Sequence, residues 1–294
     1  GVTKMTVSST GVTGATGTQY KMTVLDPSRT TYTVPGGVTA LYVFVVGSFP
    51  GRNTTVDTAN GGRGGVGYSE KYYASPAASY TYAVGAAGVA SGTPTAGGTT
   101  TFDVMSVTSG ATPATGTAGG TGGVGSGGDF NATGGAGGVG RTAATSATGG
   151  GGGHGSRKGI GGIGGDAASG AAGTGGGMGG QNASGTTPGA SSTGKDASAL
   201  VLPWLDGMTE TFAGGNGPYS AAVGSTCSFS SSYVERAGGI TLPYGSTGTS
   251  QVIGYVDHIN KVYGTSLGFT LEYYPSGAYS AGWPGAITVM EVYA

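Results

Sequence analysis

The chain has few of the side chains on which enzymes and metal- or disulfide-stabilised domains depend. Only 9% of its 294 residues are charged, and it contains one Cys and two His. The single Cys227 forms no intramolecular disulfide, and one Cys with two His falls short of a four-ligand zinc site. Twelve basic and thirteen acidic residues nearly cancel, which leaves little charge to attract nucleic acid. We therefore expect no metal, no cofactor and no nucleic-acid partner.

Long apolar runs are also missing. The longest, Val43 to Val46 with its flanks, is far shorter than the roughly 18 residues that a membrane helix requires. The sequence accordingly predicts no transmembrane segment, no signal peptide and no membrane insertion.

Glycine is present in large excess and follows a period of three. The chain has 68 Gly, and 33 of them lie in residues 111–190. Within residues 116–185, every third position counted from Gly116 is Gly in 18 of 24 cases. The next phase holds 11 glycines and the last only 3, so the local rule is Gly-Gly-x.

A period of three is typical of polyproline-II-type helices, which make no internal hydrogen bonds. No Pro occurs between Pro113 and Pro188, which argues against a collagen rod. We predict a bundle of polyglycine-II helices over 116–185, whose backbones exchange hydrogen bonds with one another. A flexible Gly/Ser linker is the alternative, but a linker has no reason to keep phase across interruptions. Reversals are predicted at the four interruptions, residues 129–133, 141–148, 166–169 and 181–184.

Outside this middle, apolar residues follow a period of two, which predicts strands. The continuous apolar run 38–46 predicts a strand that is buried on both faces. No window favours an amphipathic helix. The predicted fold is all-β, a β-sandwich-like frame from N- and C-terminal strands around the central polyglycine-II bundle, with regions 1–115, 116–185 and 186–294. The other predicted strands include Tyr80, Tyr82 and Val84; Phe102 and Val104; residues 267–273; and Ala286 to Tyr293.

The order of these pieces resembles the glycine-rich domain of tailed-bacteriophage tail fibre and tail-tip proteins. Residues 31–39 read TYTVPGGVT and lead into the strand Ala40 to Val46 and Gly47. The family continues through a glycine cluster, a strand ending in Val-Gly-Ala-Gly, a Gly-Gly-Thr-Thr-Phe-like step, polyglycine and a closing strand. The counterparts in this sequence are residues 61–67, 79–88, 97–102 and 284–293.

This resemblance implies a virion protein at the tail or fibre tip, outside the cell during attachment. Such domains are often adhesins whose polyglycine helices form a stiff platform for loops that contact the host. The implied partners are a bacterial surface glycan or outer-membrane protein and other virion tail proteins, in a monomer or a homotrimer. The sequence departs from the family at residues 48–54, where a glycine cluster is displaced, and at the longer aromatic-rich stretch 198–283.

Motifs that would indicate a catalytic or ligand-binding site are weak in this sequence. Gly123 to Gly128 fits the dinucleotide fingerprint, but a Gly-Gly-x tract produces that pattern by chance. Asp257 and His258 are adjacent, so on a strand they point to opposite faces. Cys227 has no basic neighbour to lower its pKa. The basic cluster 154–158 fits a phosphate contact less well than a solvated turn between two glycine rods. We expect no enzyme and no catalytic residue.

Aromatic residues are concentrated near the end of the sequence. Both Trp and nine of the seventeen Tyr lie in the last 91 residues, many beside Gly, Pro or Ser. Loops rich in Tyr, Ser and Gly are common at recognition surfaces, although such rings could equally cover the ends of a glycine-rich body. The candidate receptor-binding residues are Trp204, Tyr219, Tyr244, Tyr279 and Trp283.

The sequence thus favours a non-catalytic phage adhesin. Two alternatives stay open: a structural virion protein, such as a head or tail decoration, and an ice-binding protein with a flat glycine-rich face.

Overall fold

The described residues fold into two antiparallel β-sheets that share one hydrophobic core. The computed structural model describes residues 6–8, 11–13, 19–51, 61–89, 91–113, 117–141, 149–155, 159–168, 182 and 284–293. These residues contain strands and no helix, which confirms the all-β prediction for the described part of the chain.

The larger sheet has seven strands in the order β1-β2-β3-β12-β5-β6-β11, and the smaller has five in the order β10-β9-β8-β7-β4. The strands of the larger sheet are β1 (Thr6–Ser8), β2 (Gly11–Thr13), β3 (Gln19–Val24), β5 (Val38–Val46), β6 (Tyr68–Tyr73), β11 (Phe130–Ala132) and β12 (Ala286–Tyr293). Those of the smaller sheet are β4 (Thr31–Thr33), β7 (Ser79–Ala83), β8 (Thr100–Phe102), β9 (Met105–Val107) and β10 (Gly125–Ser126).

Strand β12 occupies the centre of the larger sheet. It pairs with β3 on one side and with β5 on the other, with Val289 opposite both Thr23 and Val43. The bounds of β5 and β12 are those predicted from the apolar runs, and β5 is buried on both faces as expected.

The shared core is built from alternate residues of both sheets, as period-two strands require. Tyr80 and Tyr82 of β7 point inward and their neighbours outward, as predicted. Ring contacts are frequent, such as Tyr80 against Phe102 at 5.2 Å between centroids. The buried core comprises Leu25, Tyr32, Leu41, Val43, Val45, Tyr80, Tyr82, Phe102, Met105, Val107, Ile287 and Val289.

One local prediction is wrong. Val104, expected in a strand with Phe102, is 60% exposed in the turn between β8 and β9. Asp103 beside it has a left-handed φ of 52°, which Asp tolerates better than most residues.

The reversal predicted at residues 129–133 is confirmed, because the residues after it bind those before it in antiparallel order, Gly134 to Gly123 and Gly137 to Gly120. The same stretch also contains β11, whose Asn131 lies opposite Ser69 of β6. Asp129 precedes the strand and binds the Tyr72 N–H at 2.8 Å. The predicted strand 267–273 lies outside the described residues.

Six further segments, all glycine-rich except the second, bind one another, and we number them in chain order. Segments I to IV are continuous in the chain with β6, β9, β10 and β11 respectively. The six are segment I (61–67), segment II (108–113), segment III (117–124), segment IV (133–140), segment V (149–155) and segment VI (159–168).

The segments bind one another through backbone hydrogen bonds that recur every third residue. Gly62 and Gly65 of segment I donate to segment IV, at Gly138 and Gly135. Segment IV donates to segment III through Gly134 and Gly137, and segment III donates back to segment I through Gly120 and Gly123. Each of these bonds is 2.8 Å long. Three segments thus form a closed ring of donors and acceptors.

The same cyclic pattern connects the other segments, so the six form two rows of three. We call them together the glycine array. Segments II, I and V make up its inner row, and segments III, IV and VI its outer row. The connecting bonds run from the N–H of the first residue to the carbonyl of the second in the pairs Gly64 to Ala111, Ala111 to Thr121, Gly138 to Gly150, Gly150 to Gly165, Gly152 to Arg63 and Gly164 to Ala136.

Candidate functional site

The five candidate receptor-binding residues lie outside the described residues. This holds for Trp204, Tyr219, Tyr244, Tyr279 and Trp283, and equally for Cys227 and the Asp257–His258 pair. The described residues nearest to these candidates are Asn182 before them and Pro284 after them.

Both ends of that stretch have contacts with the described fold. Before it, the Asn182 side chain accepts a hydrogen bond from the Ile163 N–H of segment VI at 2.8 Å. After it, the Gly285 N–H donates to the Gly85 carbonyl at 2.8 Å, immediately before β12. A Cβ on Gly285 would overlap the Thr100 side chain, so Gly is required for this close approach. The two contacts hold the described residues on either side of 183–283.

The outer row of the glycine array presents an exposed apolar surface. The third position of each Gly-Gly-x triplet carries a side chain, and four of these are large, apolar and 45–67% exposed: Val124, Val139, Ile160 and Ile163. At the edge of this surface, Asp166 accepts a hydrogen bond from the Val139 N–H at 2.7 Å. The outer row is therefore a largely uncharged surface suited to contact with another apolar or weakly polar body.

In segments I and V of the inner row, the third positions that carry side chains are buried. Arg63 and Val66 of segment I and His154 of segment V are all enclosed. The Arg63 guanidinium donates to the Pro50 carbonyl at 3.0 Å, and His154 Nδ1 accepts the Val66 N–H at 3.0 Å. The His154 ring also meets Phe49 edge-on at 5.1 Å between centroids. These contacts attach the array to the loop after β5.

His154 corrects an expectation from the sequence. It was expected in a solvated turn, but its exposed fraction is 4%. Burial and, to a smaller extent, the positive charge of Arg63 together lower the pKa of His154 to about 3. The imidazole is neutral at physiological pH and is shielded from any ligand in solution. Residues 156–158, the rest of that basic cluster, lie outside the described residues.

A buried carboxylate links the two sheets. Glu291 of β12 accepts hydrogen bonds from the hydroxyls of Tyr32 and Tyr293 at 2.7 and 2.6 Å, and Lys21 lies 3.7 Å away. Burial raises the pKa of both tyrosines, and their hydrogen bonds to Glu291 raise it further. Because each carboxylate oxygen is held by a phenol, the cluster joins β4 to β12 and presents no reactive group to solvent.

Other chemistry has no visible basis in the described residues. Within the ranges given above, no three His, Cys, Asp or Glu side chains converge as metal ligands would. The same ranges include no helix with the length and hydropathy of a membrane span.

Comparison with protein-family models and with curated protein sequences finds no match to this chain. The family resemblance therefore depends on the sequence motifs themselves.

Proposed function

We propose that this protein is a tail fibre or tail-tip adhesin of a tailed bacteriophage, which binds a bacterial surface receptor without catalysis. The observation that carries the proposal is the glycine array, which extends directly from the strands of the frame and lies beside the point where residues 183–283 begin. Because most positions at every two of three residues lack a side chain, such an array buries little apolar volume. Its backbones pack closely, however, and form a stiff, narrow support. A stiff support reduces the conformational entropy that the loops attached to it lose when they bind a surface.

We further infer that segments I and III to VI are polyglycine-II helices and that the frame is a β-sandwich. Hydrogen bonds that recur at every third residue support the first inference, because a helix with three residues per turn points every third N–H in the same direction. The cyclic donation among segments I, III and IV supports it also, since such helices have no internal partners. Core side chains supplied by both sheets support the second.

The proposed receptor is a surface glycan or an outer-membrane protein, contacted by aromatic loops within residues 198–283. Tyr and Trp offer large, rigid surfaces that stack on sugar rings and pack on protein loops. Trp204, Tyr219, Tyr244, Tyr279 and Trp283 are the candidates. The near-neutral charge favours recognition by stacking and hydrogen bonding over electrostatic attraction.

The test is binding of the labelled protein to a panel of Gram-negative strains, with surface polysaccharide intact or stripped. The proposal predicts binding to particular strains and competition with phage adsorption. Trp204→Ala, Tyr244→Ala and Trp283→Ala should each weaken that binding at least tenfold if the residue is an anchor. Val89→Ala, a change at an exposed residue of the frame, is the matched control and should leave binding unchanged. Loss of binding only on stripped cells would identify the receptor as a glycan.

A structural virion protein is the second candidate, and the exposed outer row favours it. Val124, Val139, Ile160 and Ile163 form a surface that a neighbouring subunit could cover. In that case the protein should bind virions or other tail proteins and no cells, and Ile163→Asp should abolish the association. Light scattering of the purified protein at several concentrations tests self-association into the homotrimer proposed for fibre proteins.

A further inference from the structure

The smaller sheet has an open edge at β4. This strand pairs with β7, and the order of the sheet places no described strand on its other side. Just beyond the two ends of β4, the Thr30 carbonyl and the Val34 N–H continue the pairing with the β7 side. Because hydrogen bonds to one neighbour alternate along a strand, the N–H and carbonyl groups of Thr31 and Thr33 point away from β7.

The residues around this edge are exposed to solvent. Residues 26–31 are all exposed, and so are Thr33 and residues 36–37. Tyr32, between the two threonines, is buried in the core, whereas Val34 packs against the core and is only partly buried. The edge therefore combines solvent-facing main-chain groups with an apolar side chain that the described fold leaves partly uncovered.

Edge strands of natural proteins are commonly protected by a charged side chain or by a bulge. Strand β4 has the sequence Thr-Tyr-Thr, and its register with β7 is regular, so it has neither. What limits this edge is its length of three residues and Pro35 just after it, which has no N–H to donate. The edge can thus accept a short, uncharged partner strand.

We propose that β4 pairs in antiparallel orientation with β4 of a second copy of this chain, about a two-fold axis at Tyr32. The sequence Thr-Tyr-Thr reads the same in both directions, so Thr31 of each copy lies opposite Thr33 of the other. Each of these pairs exchanges two hydrogen bonds, which uses every outward main-chain group of both strands. The two five-stranded sheets then form one continuous sheet.

The side chains in this register favour the pairing. Two Thr residues directly opposite each other on adjacent strands stabilise a sheet, and no like charges face each other across the axis. On the inner side of the sheet, Thr30 of one copy lies opposite Val34 of the other, so the pairing covers the exposed part of Val34. Pro35 lies opposite Arg29 and ends the ladder.

The interface is small, so we expect a weak and reversible dimer. Contacts that bury less than about 1,200 Å² are typical of transient association. This inference does not rest on the adhesin proposal, because none of the residues that form the edge belongs to the aromatic-rich stretch. A protein that binds no cells would dimerise equally well.

Spin labels test the pairing in the full chain. Cys227→Ser removes the only native thiol, and Thr33→Cys then places one label beside the proposed axis. Position 33 of one copy is a diagonal neighbour of position 33 of the other, roughly 7–8 Å away. At that distance, dipolar coupling broadens the continuous-wave spectrum. We expect broadening that grows with protein concentration and disappears when labelled protein is mixed with an excess of unlabelled protein.

Thr81→Cys, labelled in the same background, is the control for geometry. Thr81 is an exposed residue of β7 opposite Thr31, so two labels at position 81 are three strand spacings apart, about 14 Å or more. Broadening should therefore be much weaker than at position 33. Equal broadening at the two positions, or none at position 33 in a sample of about 1 mM protein, would overturn the proposal.

Substitutions of Thr33 give a second readout, association measured by light scattering. Thr33→Pro removes an outward N–H and is compatible with an edge strand, because the pairing with β7 does not use that group. Association should weaken at least about tenfold, since the two-fold axis removes two hydrogen bonds at once. Thr33→Val keeps the N–H and the branched side chain, so it is the matched control and should associate as the unsubstituted protein does.

If Thr33→Pro fails to fold, Thr33→Lys keeps the proposal testable. It brings two like charges together across the axis, so association should weaken and should recover at high salt. Unchanged association in a folded Pro or Lys variant would show that the copies meet through another surface. A trimer would also contradict the proposal, because pairing of β4 with itself closes at two copies.

Discussion

Gly137 illustrates why the glycine array has no side chain at two of every three positions. Its N–H donates to the Gly120 carbonyl at 2.8 Å, and a Cβ at this site would overlap the carbonyl group of Gly62 in the neighbouring segment. The atoms in the way are backbone, so no rotamer change can make room. Glycine is needed here for close approach of two chains.

Gly137→Ala should therefore destabilise the protein by about 1–3 kcal/mol, the usual cost of forcing extra volume into a packed interior. The measurement is chemical denaturation followed by circular dichroism. Gly36→Ala is the control, because a Cβ there meets nothing within 4 Å. That change should leave stability unaltered or raise it by up to about 1 kcal/mol. Equal effects of the two substitutions would mean that segments I and IV do not touch.

His154 should make stability depend on pH. Its pKa in the folded state is about 3, against 6.5 for the unperturbed group. Between these values the unfolded chain binds a proton and the folded chain does not, so stability is full above pH 6.5 and falls as the pH is lowered toward 3. The slope from this group alone approaches about 1.4 kcal/mol per pH unit. Urea denaturation at pH 7.5, 5.5 and 4.5 measures it.

His154→Asn is the comparison for this prediction. An amide oxygen can accept the Val66 N–H but does not titrate, so the variant should be less stable at pH 7.5 and should lose less stability on acidification. Parallel pH profiles for the two proteins would show that the imidazole is protonated as easily in the folded state as in the unfolded one.

At the scale of elements, Tyr32 connects β4 of the smaller sheet to β12 of the larger through Glu291. Tyr32→Phe removes a donor from a buried carboxylate and should cost about 1.5–3 kcal/mol of unfolding free energy. The same substitution in a Glu291→Gln background should cost less, because a neutral amide is a weaker acceptor. Tyr72→Phe, at an exposed site, should change stability by less than about 0.5 kcal/mol. A double-mutant cycle by urea denaturation measures the coupling, and additive effects would contradict it.

The sequence predicts those elements whose pattern is local. Strands β5, β7 and β12 have runs or alternation of apolar residues long enough to set their bounds, and tertiary packing agrees with them. Val104 was misassigned because an apolar residue at the tip of a hairpin keeps the alternation of the strand before it. The reversal at 129–133 follows from the local break in the glycine period, but the sequence does not predict that Asn131 within it lies in a strand. Its pairing with Ser69 of β6 depends on a strand more than 50 residues away.

The candidate site is less accessible to sequence reasoning than the frame. The phase of Gly-Gly-x identifies which positions carry side chains, but it does not say which row a segment joins. Val66 and Ile163 occupy equivalent positions, yet the first is buried in the inner row and the second is exposed in the outer row. Long-range contacts decide this, which is why His154 was expected in solvent. The Gly pair before Arg63, Val66 and His154 is no signal of burial, because the exposed Val139 and Ile163 follow a Gly pair as well.

At the scale of the whole molecule, the outer row bears on the ice-binding alternative. A surface that orders a flat water lattice needs side chains of one size at regular spacing. The third positions of the outer row carry side chains of different size, from Ala to Ile, and the last is the charged Asp166. Only two of the nine are Thr. The nine are Ala118, Thr121, Val124, Thr133, Ala136, Val139, Ile160, Ile163 and Asp166.

We therefore expect no thermal hysteresis beyond that of a non-binding protein at equal concentration. Nanolitre osmometry measures it, with bovine albumin as the reference. Hysteresis that is lost in Thr121→Leu would instead identify the outer row as an ice-binding surface.

The central place of β12 has a consequence for biosynthesis. Its two partners, β3 and β5, are complete early in translation, but about 240 residues separate β12 from β5. At roughly 5–20 residues per second, the nascent chain carries two open strand edges for on the order of tens of seconds. Unpaired edges are sites of aggregation, so a ribosome-associated chaperone that shields residues 19–46 should raise the yield of folded protein.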